Sequence, residues 1–132
     1  MKQTLGAGSM RAVIVDDTDD IRALLRLALT RAEHRVVAEA ADGREGIEVV
    51  TEHRPDLVLL DLSMPVMDGL EALPTLRRLV PDATILVLSG FGAEQMADRA
   101  LAAGADGYVQ KGESLVVILG VIRELSAARS AG

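Results

Sequence analysis

The chain has 132 residues, 49% of them hydrophobic, with one Phe, one Tyr, no Trp and no Cys, which describes one ordinary domain with an aliphatic core and excludes disulfides, thiolate nucleophiles and cysteine-held metals. Fourteen basic against 20 acidic residues give a net charge of -6; such a surface repels phosphate backbones, and with almost no aromatic side chains to stack on bases, nucleic-acid binding by this domain is not expected. The longest apolar run, Leu115 to Ile122, falls well short of the roughly 20 residues that cross a bilayer, and the opening "MKQTLGAGSM" lacks the apolar stretch of a secretion signal, so a soluble, cytoplasmic protein with no membrane partner is expected.

In chain order, residues 1–9 read as a tail or cloning remnant, and the apolar run "RAVIV" (11–15) predicts the first strand. "IRALLRLALTRA" (21–32) follows with Ile21, Leu24, Leu25 and Ala28 on one stripe, a helix capped by Thr18 or an adjacent Asp. "RVVAEA" (35–40) predicts the second strand, and a helix runs from about Gly43 to His53. "DLVLL" (56–60) is the third strand; the helix after it, Leu70 to Leu79, contains Pro74, which is tolerable only near the first turn. "TILVL" (84–88), a helix from Ala93 to Ala103, and "GYVQ" (107–110) come next. In "SLVVILGVIREL" (114–125) the apolar start would pass for a strand, but its length and Ser114 as a cap favour a helix. Residues 128–132 read as a C-terminal tail or the start of a linker, leaving 10–127 as the domain.

Strands alternating with helices over short connections imply repeated βα units and a parallel sheet. Within the strands 11–15, 57–60 and 85–88, residues 12–15, 57–60 and 85–88 are continuously apolar, as strands covered on both faces must be, and these strands belong in the middle. "RVVAEA", with Glu39, and the short, half-polar "GYVQ" belong at the edges.

In an open doubly wound sheet, ligands bind beyond the carboxyl ends of the strands. Asp16 and Asp17 follow the first strand, Asp61 the third, Ser89 the fourth and Lys111 the fifth. Three carboxylates brought together raise one another's pKa unless a cation intervenes. Mg²⁺, which favours oxygen ligands, keeps several waters and commonly shares a phosphate oxygen, suits this set better than a soft metal. Beside such an ion Asp61 can attack phosphorus, with Lys111 drawing charge from the equatorial oxygens and Ser89 donating to the transferred group. All basic residues except Lys2 and Lys111 are Arg. The single domain lysine therefore stands at a strand end, where a compact ammonium binds phosphate as a point charge.

The motifs "VDD", "LLDLSMPVMDGLEAL", "LSGF" and "GADGYVQK", spread from Arg11 to about Leu125, together resemble the receiver domains of two-component response regulators. The resemblance implies a flavodoxin-like α/β/α fold of five strands in the order 2-1-3-4-5, and a phosphoryl group taken by Asp61 from a phosphohistidine on a sensor histidine kinase or phosphotransfer protein. It further implies Mg²⁺ held by Asp17, Asp61 and the Ser63 carbonyl, with Asp16 assisting through water, and a switch in which Ser89 moves to the phosphoryl group and Tyr108 turns inward, altering the face of the fourth helix, fifth strand and fifth helix. One departure is Gly112, where the family usually has proline after the lysine, often with a cis bond. A non-proline cis bond costs about 2.5–4 kcal/mol, so the loop is either trans or strained.

Against these readings stand plainer ones. Asp68 and Gly69 read as turn residues, Met64, Met67 and Met96 as packing, His34 and His53 as ordinary polar positions, and Phe91 as exposed and available to a partner. Tyr108 as a switch competes with Tyr108 as edge-strand packing. On the fifth helix Leu115, Ile118, Ile122 and Leu125 face the sheet while Val116, Val117 and Val121 leave the other side apolar; either that side forms a homodimer or effector interface, or the valines tuck under neighbouring loops. The expected function is a phosphorylation-controlled switch that promotes its own phosphorylation and hydrolysis without turning over a free substrate. The alternative is a receiver-shaped interaction module that works without phosphorylation. An aspartyl phosphatase would want a second acid two positions after Asp61, where Ser63 stands.

Overall fold

The computed structural model describes residues 8–64, 66–90 and 94–131. Most of the N-terminal tail (1–7), Phe91, Ala93 at the expected start of the fourth helix, and Gly132 lie outside the described residues.

The elements alternate as β1 (Arg11–Val15), α1 (Asp19–Arg31), β2 (Arg35–Ala40), α2 (Gly43–His53), β3 (Leu57–Asp61), α3 (Gly69–Leu79), β4 (Thr84–Ser89), α4 (Glu94–Ala103), β5 (Gly107–Gln110) and α5 (Leu115–Ala131). Each of the ten has its counterpart in the sequence pattern. The five strands form one sheet in the order β2-β1-β3-β4-β5, all neighbours parallel, which is the flavodoxin-like arrangement with the two less apolar strands at the edges. β3 and β4 each run one residue further than their apolar stretch, because the ladder continues through the pair Asp61 and Leu88 and through Ser89 and Gln110.

The sheet's alternation divides the core. Val13, Val15, Val58, Leu60, Ile85 and Val87 face one way, against Val50 of α2, Leu73 and Leu76 of α3 and Ala100 of α4. Ala12, Ile14, Leu57, Leu59, Leu86 and Leu88 face the other, against Leu25 and Leu29 of α1 and Ile118 and Ile122 of α5. Each buried Leu, Ile or Val contributes about 1.5–3 kcal/mol relative to exposure. Met64, Met67 and Met96 pack against the first cluster, as does Tyr108.

Several local details differ from the sequence pattern. Pro74 sits in the second turn of α3, not the first; it supplies no N–H for the Leu70 carbonyl, and the burial of Leu73 and Leu76 on either side holds the helix across that gap. Thr18 occupies the N-cap of α1 without a side-chain cap bond. Asp68 is a helix cap rather than a turn residue: its Oδ1 accepts the Glu71 N–H at 2.8 Å. α5 is a helix from its apolar start, with Ser114 Oγ accepting from the Val117 N–H at 3.2 Å. Of its three outward valines, Val121 packs against the core, whereas Val116 and Val117 remain exposed. His34 is engaged structurally, its Nδ1 accepting the Met10 N–H at 3.0 Å, and burial lowers its pKa.

Candidate functional site

Parallel strands put all their carboxyl ends on one rim, and the acids meet there. β3 is fully buried along its length, so Asp61 ends an apolar strand with 0% of its surface exposed, and Asp16, directly after β1, retains 1%. Both carboxylates are oriented by the same local device. Asp16 Oδ1 accepts the N–H of Thr18 at 2.8 Å and Asp61 Oδ1 accepts the N–H of Ser63 at 3.1 Å, each an Asx-turn that ties a side chain to the backbone two residues on. The second oxygens are left to converge. Lys111 Nζ lies 3.1 Å from Asp16 Oδ2 and 3.1 Å from Asp61 Oδ2.

Lys111 is delivered by β5, which reaches the rim beside β4; its N–H continues the ladder by donating to the Ser89 carbonyl at 2.7 Å. Among the described residues no peptide bond is cis. The Lys111–Gly112 bond is therefore trans, the unstrained of the two alternatives, and the ammonium still reaches both acids.

One ammonium does not balance the site. Asp17, exposed at the surface, brings a third carboxylate, and one oxygen from each of Asp16, Asp17 and Asp61 lies within 4.8 Å of the others. Asp16 Oδ2 and Asp61 Oδ2 are buried and, although close to Lys111, receive no well-aligned hydrogen bond. Burial pushes the Asp61 carboxyl up to about 6, with the Asp16 charge adding to it and the Ser63 N–H and Lys111 opposing it. Burial alone would lower the Lys111 ammonium, but its contacts with Asp16 and Asp61 outweigh that and its pKa is raised. Two buried, poorly satisfied carboxylate oxygens beside a third acid suit a hard divalent cation with oxygen ligands. The residues present fit Mg²⁺.

Ser89, buried at the end of β4, lines a cleft of about 390 Å³ together with Ser63, Met64, Asp68, Gly90 and Met96. Space for a group larger than an ion therefore opens beside Leu62 and Ser63, the two residues that follow Asp61. Tyr108 lies half-buried beside Val87, on the α3 and α4 side of the sheet, in the packed arrangement. Another cleft, of about 380 Å³, is lined by Met10, His34, Leu119, Arg123 and Ser126 at the amino ends of the strands, away from the carboxylates.

The supporting roles of Gly69 and Gly43 were not visible in the sequence. Gly69 packs so tightly under Asp61 that a Cβ there would lie 2.1 Å from the Asp61 carbonyl oxygen, and its N–H donates to the Leu62 carbonyl. Gly43 donates its N–H to the Met67 carbonyl at 2.8 Å, pinning the loop after β3 to α2. For Asp68 a signal did exist, since Asp followed three residues later by Glu is a capping pattern.

The family model described as Response regulator receiver domain matches residues 12–123. The chain is 38% identical over 101 residues to the chemotaxis protein CheY of Thermotoga maritima, covering 76% of this chain and 84% of that protein. It is 36% identical over 124 residues to the transcriptional regulatory protein PrrA of Mycobacterium tuberculosis, covering 94% of this chain but 53% of that protein. Among solved structures, a LuxR-family two-component response regulator from Aurantimonas superposes with a TM-score of 0.83 at 34% identity, covering 92% of this chain and 87% of that one. A CheY-like receiver domain protein from Methanospirillum hungatei gives 0.86 at 26% identity, covering 93% and 98%. The chain thus spans most of the chemotaxis protein and about half of the transcriptional regulator, and it belongs to the response regulator receiver domain family of two-component signalling.

Proposed function

We propose that this receiver domain takes a phosphoryl group onto Asp61 from a phosphohistidine of a sensor histidine kinase or phosphotransfer protein, in a Mg²⁺-dependent reaction, and passes the change to the face formed by α4, β5 and α5. The observation that carries the reading is the placing of Lys111 Nζ at 3.1 Å from both Asp16 and Asp61 with a third carboxylate alongside.

With Oδ1 engaged by the Ser63 N–H, Asp61 Oδ2, which faces Lys111, is the nucleophile. It attacks phosphorus in line with the departing imidazole: an O–P bond forms, the P–N bond breaks, and its electron pair returns to the imidazole nitrogen, which takes up a proton. Asp16, Asp17, Asp61 and the Ser63 carbonyl would hold Mg²⁺, which when bound draws charge from the phosphoryl oxygens. Lys111 supplies the second positive charge to those oxygens, and the Ser89 hydroxyl donates a hydrogen bond to one of them. Catalysis here is positioning and charge, so the domain promotes its own phosphorylation, and later hydrolysis by water entering the cleft, without a free substrate.

The positions of Ser89 and Tyr108 support a readout of this kind. Ser89 is drawn to the new phosphoryl group, which vacates space behind β4 into which the half-buried Tyr108 ring turns. The exposed Val116 and Val117 of α5 (79% and 44%) border that face and favour a homodimer or effector contact there. No helix among the described residues is long and apolar enough to cross a membrane. The proposed reaction belongs in the cytoplasm because that is where a sensor kinase would present its phosphohistidine.

The test is incubation with a small phosphodonor, with and without Mg²⁺, followed by intact mass measurement. A single added phosphoryl group that requires Mg²⁺ and is missing in Asp61→Asn is expected. An unmodified wild type would leave the phosphorylation-independent interaction module as the better account.

A further inference from the structure

Arg22 belongs to the first turn of α1 (Asp19–Arg31), where the positive end of the helix dipole opposes a cation. A solvated surface arginine would gain nothing from being there. This one is largely covered, its side chain 17% exposed, and it is turned back across the start of its own helix. Nη1 donates to the Asp16 carbonyl oxygen at 2.5 Å, Nη2 pairs with Asp19, and Nε stands 3.3 Å from Glu39 Oε1 on β2. Glu39 is held in turn by Arg26. Asp16 is thereby gripped through its N–H, which donates to Ala40, through its carbonyl by Arg22, and through Oδ1 by the Thr18 N–H.

We propose that Arg22, braced by Glu39, is a positioning residue for metal binding: it fixes the turn after β1 so that the Asp16 and Asp17 carboxylates converge on the cation with Asp61. The inference rests on the proposed function and adds to it a residue that touches neither metal nor phosphoryl group. Mg²⁺ demands near-ideal octahedral geometry, so small displacements of this turn are felt as lost affinity, and removing outer partners of metal ligands typically weakens binding by about 10–100-fold.

Charge and position make opposite demands, which makes the test sharp. As a positive charge near the site, Arg22 repels Mg²⁺, so acting through charge alone Arg22→Ala would bind the ion more tightly. As a positioning group, its loss weakens binding. Mg²⁺ affinity is measured by calorimetric titration alongside thermal melting for wild type, Arg22→Ala, Arg22→Lys and Glu39→Gln. The expected results are about tenfold weaker binding in Arg22→Ala, partial recovery in Arg22→Lys, and weaker binding in Glu39→Gln although Arg22 keeps its charge. A folded Arg22→Ala with equal or tighter Mg²⁺ affinity overturns the inference; if that variant does not fold, unchanged affinity in both Arg22→Lys and Glu39→Gln does so. A wild type that binds no Mg²⁺ defeats the proposed function itself, a separate outcome read from the first titration.

Discussion

Lys111 Nζ stands 3.1 Å from Asp61 Oδ2, although a whole strand, β4, separates the strands that carry them. The lysine's flexible stem bridges that gap along the rim and meets Asp16 at the same distance. Its charge is shared between two acids, and neither is fully neutralised. The energetics of the site follow from that shortfall.

The Asp61 carboxyl is raised from 3.8 to about 6, chiefly by burial. Between those values the folded chain holds more protons than the unfolded one, so this group's contribution to stability falls as pH rises through the window and stays reduced above it. Asp61→Asn removes the penalty. In chelator-treated buffer the variant should match wild type near pH 4, by this group's account, and be more stable by a growing margin up to about pH 6, constant beyond. Urea denaturation midpoints of the pair at several pH values check this, and a pH-independent gap would contradict it. Mg²⁺ should then stabilise wild type more than the variant.

Lys111→Met keeps the stem and deletes the charge, leaving two buried carboxylates facing each other. Breaking a buried pair costs about 3–5 kcal/mol, but Lys111 is 26% exposed and a smaller loss, about 1–3 kcal/mol, is expected at neutral pH. The loss should shrink in acid as Asp61 takes up its proton. Thermal melts at neutral and acidic pH decide it, and the phosphorylation rate should fall in the same variant because the phosphoryl oxygens lose a cation.

Two glycines near the site should respond differently to alanine. At Gly69 a Cβ would meet the Asp61 carbonyl at 2.1 Å, whereas at Gly112 nothing lies within 4 Å. Gly69→Ala must shift the segment under Asp61 and should destabilise by about 1–3 kcal/mol, with slower phosphorylation. Gly112→Ala should change stability by no more than about 0.5 kcal/mol. Chemical denaturation of both, with phosphodonor kinetics, tests the contrast.

Arg77 is a purely structural counterpart to the site. Its guanidinium donates to the carbonyls of Gly104, Val80, Pro81 and Ala83 and to Asp106, and Asp106 also takes the Ile85 N–H at 2.8 Å and Arg129 at 2.7 Å. Arg77→Ala leaves several half-buried acceptors unpaired and should lower stability by about 2–4 kcal/mol while Mg²⁺ affinity stays at the wild-type value. Calorimetry and denaturation on the same preparation separate the two effects.

The strand ends made the acids, Ser89 and Lys111 legible from sequence, because parallel strands must terminate on a common rim and a polar residue after an apolar run is conspicuous. Arg22 and Gly69 were not legible. An arginine in a helix and a glycine after Asp look ordinary until the partners, Asp16's carbonyl and Asp61's carbonyl, are brought against them by tertiary contact. Glu39 was read as the mark of an edge strand. It does lie at the edge, but it also supplies the counter-charge for Arg22 and Arg26, a pairing between residues 13 or more positions apart that periodicity does not reveal. Pro74 was read inside the helix where it stands, but as tolerable only near the first turn; it sits in the second, because helix propensity is local while the burial that holds α3 across it is not.

The proposed function requires that one carboxylate of the three, at residue 61, becomes the acyl phosphate. Borohydride reduction of the freshly phosphorylated protein converts that aspartyl phosphate to homoserine, and peptide mass spectrometry then reads the position. Homoserine at position 61 in place of Asp61, formed only with Mg²⁺ and phosphodonor present, is the predicted result; reduction at Asp16 or Asp17, or at no aspartate while the intact protein carries phosphate, would contradict it.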